Sequence, residues 1–388
     1  MAAMTWNGAV ANLPGFLQAG FPQKNDAASD LQAAMRTAGP AIGSIVTEHA
    51  TARIEAVLQG IRAYHAHPYR RRVSAPPVAA HAGCVRLFDF GSAYGHVGQA
   101  VVAVPSLINP SYILDLMPEQ AATSRSLMRY LARSELRPLL VDWGTPGLEE
   151  TSFTTADYVT RRLEPLLEKA ARQAGGPVPV IGYCMGGNLA LAAAARRPDL
   201  VSAVALIATP WDFHAPSVTL NRAVATLFSG LIGPLAQPTT VPVELAHLFF
   251  ASLDPTLTDR KFRRFARLDG TSRQATLFVA MEDWVNDGAP LAAAVARECL
   301  DDWYGRNLPG RGAWQVGGVP VDPARISQPA LVVAPRSDRI VPSESALALA
   351  RALPDPTVRN VAGGHVSMVV GPGAEDALWK PLVTWLKS

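Results

Sequence analysis

Cysteine is scarce in this chain: three in 388 residues, Cys84, Cys184 and Cys299, with no CxxC pair among them. So few and scattered thiols exclude a disulfide framework and a cysteine-based zinc site, and each thiol has to be judged alone. Charge is sparse too, at 17% of residues with a net of +3. There is no concentrated basic face or arm, which excludes nucleic acid as the main partner. The longest apolar runs are shorter than a membrane span or are broken by Gly, Pro and charge. The N-terminus lacks a basic segment leading into an apolar run and a small-residue cleavage site. No phosphate-cradling glycine loop or metal-ligand cluster stands out, so neither cofactor nor metal is expected. Hydrophobic residues reach 49%, too many for extensive disorder. The expectation is a soluble, cytoplasmic enzyme-sized protein.

Residues 1 to about 35 are rich in Ala, Gly, Asn and Gln, lack periodicity, and read as loosely attached. From Ile42 to Tyr64, Ile45, Val46, Ile54, Val57, Leu58 and Ile61 recur at helical spacing and predict an amphipathic helix. His65 to Pro77, with Arg70, Arg71 and Arg72 and three prolines, reads as a solvated linker, so 1–77 forms an N-terminal helical segment and linker. Short apolar runs then alternate with helical patterns: Val85–Phe90, Ala100–Leu107, Pro138–Trp143, Val178–Tyr183, Val201–Ala208, Ala330–Ala334 and Val358–Val361 are the expected strands. Fully apolar strands separated by helices predict a mostly parallel sheet covered on both faces, an α/β fold. The core is expected in two parts, 78–210 and 324–388. Between them, 211–323 is helical and rich in aromatics, and reads as a cap at the carboxyl edge of the sheet, where such folds bind ligands.

The chemistry concentrates at Gly182-Tyr183-Cys184-Met185-Gly186. A strand ends there and a helix begins within about three residues, the pattern of a nucleophile elbow with Cys in place of Ser. Gly182 and Gly186 flank the turn because side chains there would collide as strand and helix close, and Gly187 leaves further room. The turn lifts the sulfur above the sheet edge and sets it at a helix N-terminus, which favours thiolate. It also leaves the backbone N–H of Met185 free for a developing oxyanion. Cys84 and Cys299 lack such a setting and read as structural.

A thiol nucleophile needs a base, and the base needs an orienting carboxylate. Of eight histidines, His365, after Ala362-Gly363-Gly364, follows the last strand and is the candidate base. His49, His65 and His67 fall in the N-terminal segment, and His214 and His247 in the cap. Asp338 leaves the same sheet edge after Leu331-Val332-Val333 and is the candidate acid, with Asp212 as rival. Asp142 is expected to cap the turn after its own strand. Nucleophile, acid and histidine then occur in the order of the α/β-hydrolase fold. The expected architecture is that fold with a helical cap insertion and a short N-terminal helical segment. The second oxyanion donor should be a backbone N–H at Ile108 or Asn109, in the loop after an early strand.

These residues resemble the polyhydroxyalkanoate synthases. The resemblance includes Gly182 to Gly186, the segment Val104 to Leu116 with its Asn109, Tyr112 and Asp115, Val141-Asp142-Trp143-Gly144, Asp338 to Pro342, and Gly364-His365, spanning roughly residues 85 to 388. It implies transfer of a 3-hydroxyacyl group from coenzyme A to Cys184, with His365 deprotonating the thiol and Asp338 orienting His365 or helping to activate the incoming hydroxyl. It also implies a 3-hydroxyacyl-CoA and a growing polyester chain as partners. A homodimer, a second synthase subunit and the surface of a storage granule are further partners it allows. Two rivals share the sequence evidence. An intracellular polyester depolymerase or acyl-CoA thioesterase would use the same three residues with water as acceptor. A non-catalytic granule-binding protein would use exposed cap aromatics for adhesion.

Overall fold

The computed structural model describes residues 41–92, 95, 98–118, 124–235 and 239–388. The stretch 1 to about 35 lies outside the described residues. Contacts divide the chain into two units: Met1–Tyr69 with Thr256–Val279, and Arg70–Pro255 with Ala280–Ser388. Residues 211–323 are therefore shared between the two.

In the first unit a helix runs Ala41–Ala66, close to the periodicity-derived span. It packs on the helix Leu257–Phe265, where Arg53 donates to both carboxylate oxygens of Asp259 at 2.7 and 2.8 Å. The hydrogen bonds from Arg53 and then Arg263 hold the Asp259 carboxyl at about 2. Phe265 and Phe278 stack at 4.2 Å between ring centres in a small core with Ala275 and Val279. His67 is occupied structurally, its Nε2–H donating to the Gly270 carbonyl at 2.9 Å.

In the second unit eight strands form one sheet: β1 Val78–Ala82, β2 Val85–Asp89, β3 Ala100–Val104, β4 Arg137–Asp142, β5 Val178–Tyr183, β6 Val201–Ile207, β7 Ala330–Pro335 and β8 Thr357–Val361. Their spatial order is β1-β2-β4-β3-β5-β6-β7-β8. β2 runs antiparallel to both neighbours, and β4 through β8 pair in parallel. The central strands β3, β5 and β7 are buried along their whole length, which is why they read as unbroken apolar runs. β1, Val-Ala-Ala-His-Ala, escaped the sequence reading. Its small side chains carry little apolar signal, and as a partly exposed edge strand it is held chiefly by its pairing with β2.

Two expectations are corrected. The cap aromatics of this unit are not exposed. Phe249, Trp284, Trp303 and Trp314 are buried, and Phe213, Tyr304 and Phe249 meet edge-on in one array. That array is continuous with the sheet's own core, as expected of large apolar surface that folding removes from water. Adhesion through exposed cap aromatics therefore loses its basis. The run at Arg70–Arg72 is also not simply solvated. Arg71 donates to the carbonyls of Asp115 (3.0 Å) and Leu116 (3.3 Å) and lies 4.5 Å above the Tyr112 ring. Among the described residues no helix is long and apolar enough to cross a membrane.

Candidate active site

Four loops leave the carboxyl ends of parallel strands: 105–110 after β3, Cys184 after β5, 336–342 after β7 and 362–366 after β8. Cys184 joins β5 directly to the helix Met185–Arg196, with φ 55 and ψ −131. For a residue with a Cβ this backbone costs about 1–3 kcal/mol. The surroundings enforce it. Cys184 N–H donates to the Ile207 carbonyl of β6 at 2.9 Å. A Cβ on Gly182 would stand 2.3 Å from the Gly187 Cα, and one on Gly186 would stand 2.1 Å from the Val104 carbonyl oxygen. Only glycine lets strand, turn and helix close to this degree.

The structure brings the three residues singled out in the sequence together. Asp338 Oδ2 accepts from His365 Nδ1 at 2.7 Å. Its Oδ1 accepts from the backbone N–H of Ile340 and Val341 at 2.8 and 2.9 Å, so the carboxylate is fully partnered and cannot swing away. Nδ1 being occupied, Nε2 is the nitrogen left to act on Cys184, whose proximity is one of the influences raising the imidazole pKa. Asp338 and His365 are buried, while Cys184 is partly exposed. The Cys184 sulfur is thus reachable while Asp338 and His365 are shielded.

Burial alone would lower the His365 pKa. The charges of Asp338 and Cys184, with the hydrogen bonds they make, outweigh it and raise the imidazole well above its ordinary value. A histidine set between a carboxylate and a cysteine is the arrangement a thiol nucleophile uses to lose its proton. The other two thiols differ. Burial, the leading cause in each case, raises the Cys84 and Cys299 pKa values, and Cys84 donates to the Trp143 carbonyl at 3.4 Å.

Asp212, the rival acid, is engaged elsewhere, its Oδ1 accepting from Asn307 Nδ2 (2.8 Å) and the His214 N–H (2.9 Å). Asp142 does not cap its turn but accepts from Ser111 Oγ at 2.8 Å and from the Arg86 guanidinium at 2.6 Å. It ties the 3-10 turn Ser111–Leu114 to β2 and β4.

Sequence reasoning missed Tyr183. Its hydroxyl donates to the His365 carbonyl at 3.1 Å and its ring stacks on the imidazole, centres 5.3 Å apart. The signal was present, because the residue before an elbow nucleophile points down into the sheet, where a tyrosine needs a hydrogen-bond partner.

The two expected oxyanion donors sit differently. Met185 is the first residue of its helix, so its N–H has no intrahelical acceptor. The Ile108 N–H is already spent on Ser106 Oγ at 3.3 Å. That of Asn109 has no partner among the described residues, which makes it the better placed of the two loop candidates. The loop begins against the elbow, since Gly186 packs on the Val104 and Pro105 carbonyls, and Trp143 Nε1 holds the Pro105 carbonyl at 3.0 Å.

Comparison with known proteins adds to this geometry. The profile of the alpha/beta hydrolase fold family matches residues 117–372, more than half of the chain. Among curated proteins, the poly(3-hydroxyalkanoate) polymerase subunit PhaC of Haloferax mediterranei is 28% identical over 290 residues, 74% of this chain and 58% of that one. The subunit of the same name from Allochromatium vinosum is 28% identical over 291 residues, 74% of this chain and 80% of that one. The chain thus spans little more than half of the first relative and four fifths of the second. Among solved structures, a non-heme bromoperoxidase, BpoC, assigned as putative in Mycobacterium tuberculosis, superposes with a TM-score of 0.53 at 17% identity, covering 82% of this chain and 100% of that one, a likeness of fold. Strand order, elbow and profile agree: the chain belongs to the alpha/beta hydrolase fold family.

Proposed function

We propose that the chain is a poly(3-hydroxyalkanoate) synthase working through a Cys184 acyl-enzyme. The observation that carries this is a cysteine, not a serine, at an elbow whose histidine is hydrogen-bonded at 2.7 Å to a buried carboxylate. The similarity to the PhaC subunits supports the choice of substrate class. The Cys184 thiolate attacks the thioester carbon of a 3-hydroxyacyl-CoA. The Met185 N–H and the Asn109 backbone N–H receive the oxygen's charge, a role worth about 10²–10³-fold per donor. As the tetrahedral intermediate collapses, the C–S bond to coenzyme A breaks and the leaving thiolate takes the proton from His365. Neutral His365 then accepts the proton of a 3-hydroxyl, from a further substrate or the chain end, as that oxygen attacks the Cys184 thioester. An ester bond forms and the thiolate–imidazolium pair is restored. Asp338 keeps the ring oriented and stabilises its charged form throughout.

Sulfur suits this cycle. Exchange between two thioesters is nearly balanced, and the acyl-enzyme must persist until a hydroxyl arrives. The reading extends to a polymer-granule location and to either a homodimer or a second subunit, both of which follow from the resemblance. Purified protein given 3-hydroxybutyryl-CoA should release coenzyme A and form polyester with more than one residue per chain. Free monomeric acid with no polymer would instead establish the hydrolase reading.

A further inference from the structure

The loop between β3 and the turn Ser111–Leu114 is gripped from two sides. On the core side, Trp143 Nε1 donates to the Pro105 carbonyl at 3.0 Å. On the other side, two of its residues, and Tyr112 of the turn, meet one short stretch at the end of the helix Arg273–Asn286. Trp284 Nε1 donates to the Pro110 carbonyl at 2.8 Å. Asn109 Nδ2 donates to the Val285 carbonyl at 3.3 Å. Tyr112 OH donates to Asp287 Oδ2 at 3.1 Å. Trp284 is buried, so its N–H would be costly to leave unpaired, by about 1–3 kcal/mol. Residues 284–287 are more than 170 positions away in sequence, and nothing within the loop itself fixes Asn109.

We propose that Trp284 and the Asn109 side chain are positioning residues: they clamp the 107–110 loop so that its free backbone N–H faces the thioester oxygen at Cys184. This deepens the acyl-transfer reading and rests on it. The clamp acts only where negative charge develops on oxygen. A reaction at the same sulfur that creates no oxyanion does not need it.

That difference supplies the test. Two rates are measured on the full chain: acylation of Cys184 by 3-hydroxybutyryl-CoA, followed as the coenzyme A burst, and alkylation of Cys184 by iodoacetamide. Trp284→Phe keeps an aromatic ring and removes the donor. Its acylation rate should fall about 10- to 100-fold, the scale of an oxyanion donor displaced by a fraction of its bond length. KM should move less than about threefold, and alkylation should stay within about twofold of wild type. Asn109→Leu should show the same split with a smaller loss, and it carries the test alone if Trp284→Phe does not fold. Acylation unchanged in the folded variants would overturn the proposal, and so would acylation and alkylation slowing in parallel. Wild-type protein that alkylates but never acylates would instead overturn the acyl-transfer reading beneath it.

Discussion

The two sides of the candidate oxyanion site are built by opposite means. On one side the Met185 N–H is fixed within a few residues of chain: a strained Cys184, a helix start, and glycines that let strand and helix touch. On the other, the 105–112 loop has no such local logic and is held by side chains from Trp143 and from Trp284 and Asp287, with the Val285 carbonyl as a further anchor. The first arrangement is a property of a motif; the second is a property of the fold. Strain concentrates on the side that carries Cys184, where the sheet edge already determines the backbone. The loop side depends on the insertion and moves with whatever moves residues 284–287.

The largest expected effect comes from the element common to both sides. Asp338→Asn removes the charge that most raises the His365 pKa while leaving burial in place, so the imidazole pKa should fall. Acyl transfer should fall by about 10³–10⁴-fold, and the ring nitrogens observed by NMR should lose their proton at lower pH than in wild type. The sign for stability follows from the raised value. His365 binds its proton more readily folded than unfolded, so its stabilising contribution is complete below pH about 6.5 and fades as the pH rises through the folded value. An imidazole pKa unchanged in Asp338→Asn would contradict that cause.

Next in size is damage confined to the elbow. Gly182→Ala places a Cβ 2.3 Å from the Gly187 Cα, where relief requires backbone movement, and should destabilise the chain by about 1–3 kcal/mol. It shifts the sulfur itself, so acylation and alkylation should slow together, checked by the same pair of rate measurements. Trp284→Phe, smaller in effect, should slow acylation alone. If the two variants gave the same pattern, the distinction between a motif-built and a fold-built side would disappear.

The same distinction governs how much could be read from sequence. Gly182 to Gly186, Asp338 and His365 were legible because each sits immediately after a strand whose apolar run marks it, and strand order converts those positions into one sheet edge. The helix Ala41–Ala66 was legible from periodicity, and the strands from β2 to β8 from their short apolar runs. β1 was not, for want of apolar side chains. Arg71 was misread because a short basic run says nothing of the Asp115 and Leu116 carbonyls that await it. The choice between Ile108 and Asn109 depends on Ser106 Oγ occupying one of two adjacent N–H groups. The grip of Trp284 on Pro110 spans 174 positions and leaves no local trace. The aromatic insertion was legible as helical, but its burial required the three-dimensional array of rings.

The central claim, that Cys184 carries the acyl group, is tested most directly by intact mass and peptide mapping of the protein quenched in acid after brief exposure to 3-hydroxybutyryl-CoA. A 3-hydroxybutyryl adduct on the peptide containing Cys184, absent from Cys184→Ala, is the predicted result. Turnover of the thioester with no adduct at Cys184, or turnover that persists in Cys184→Ala, would contradict it.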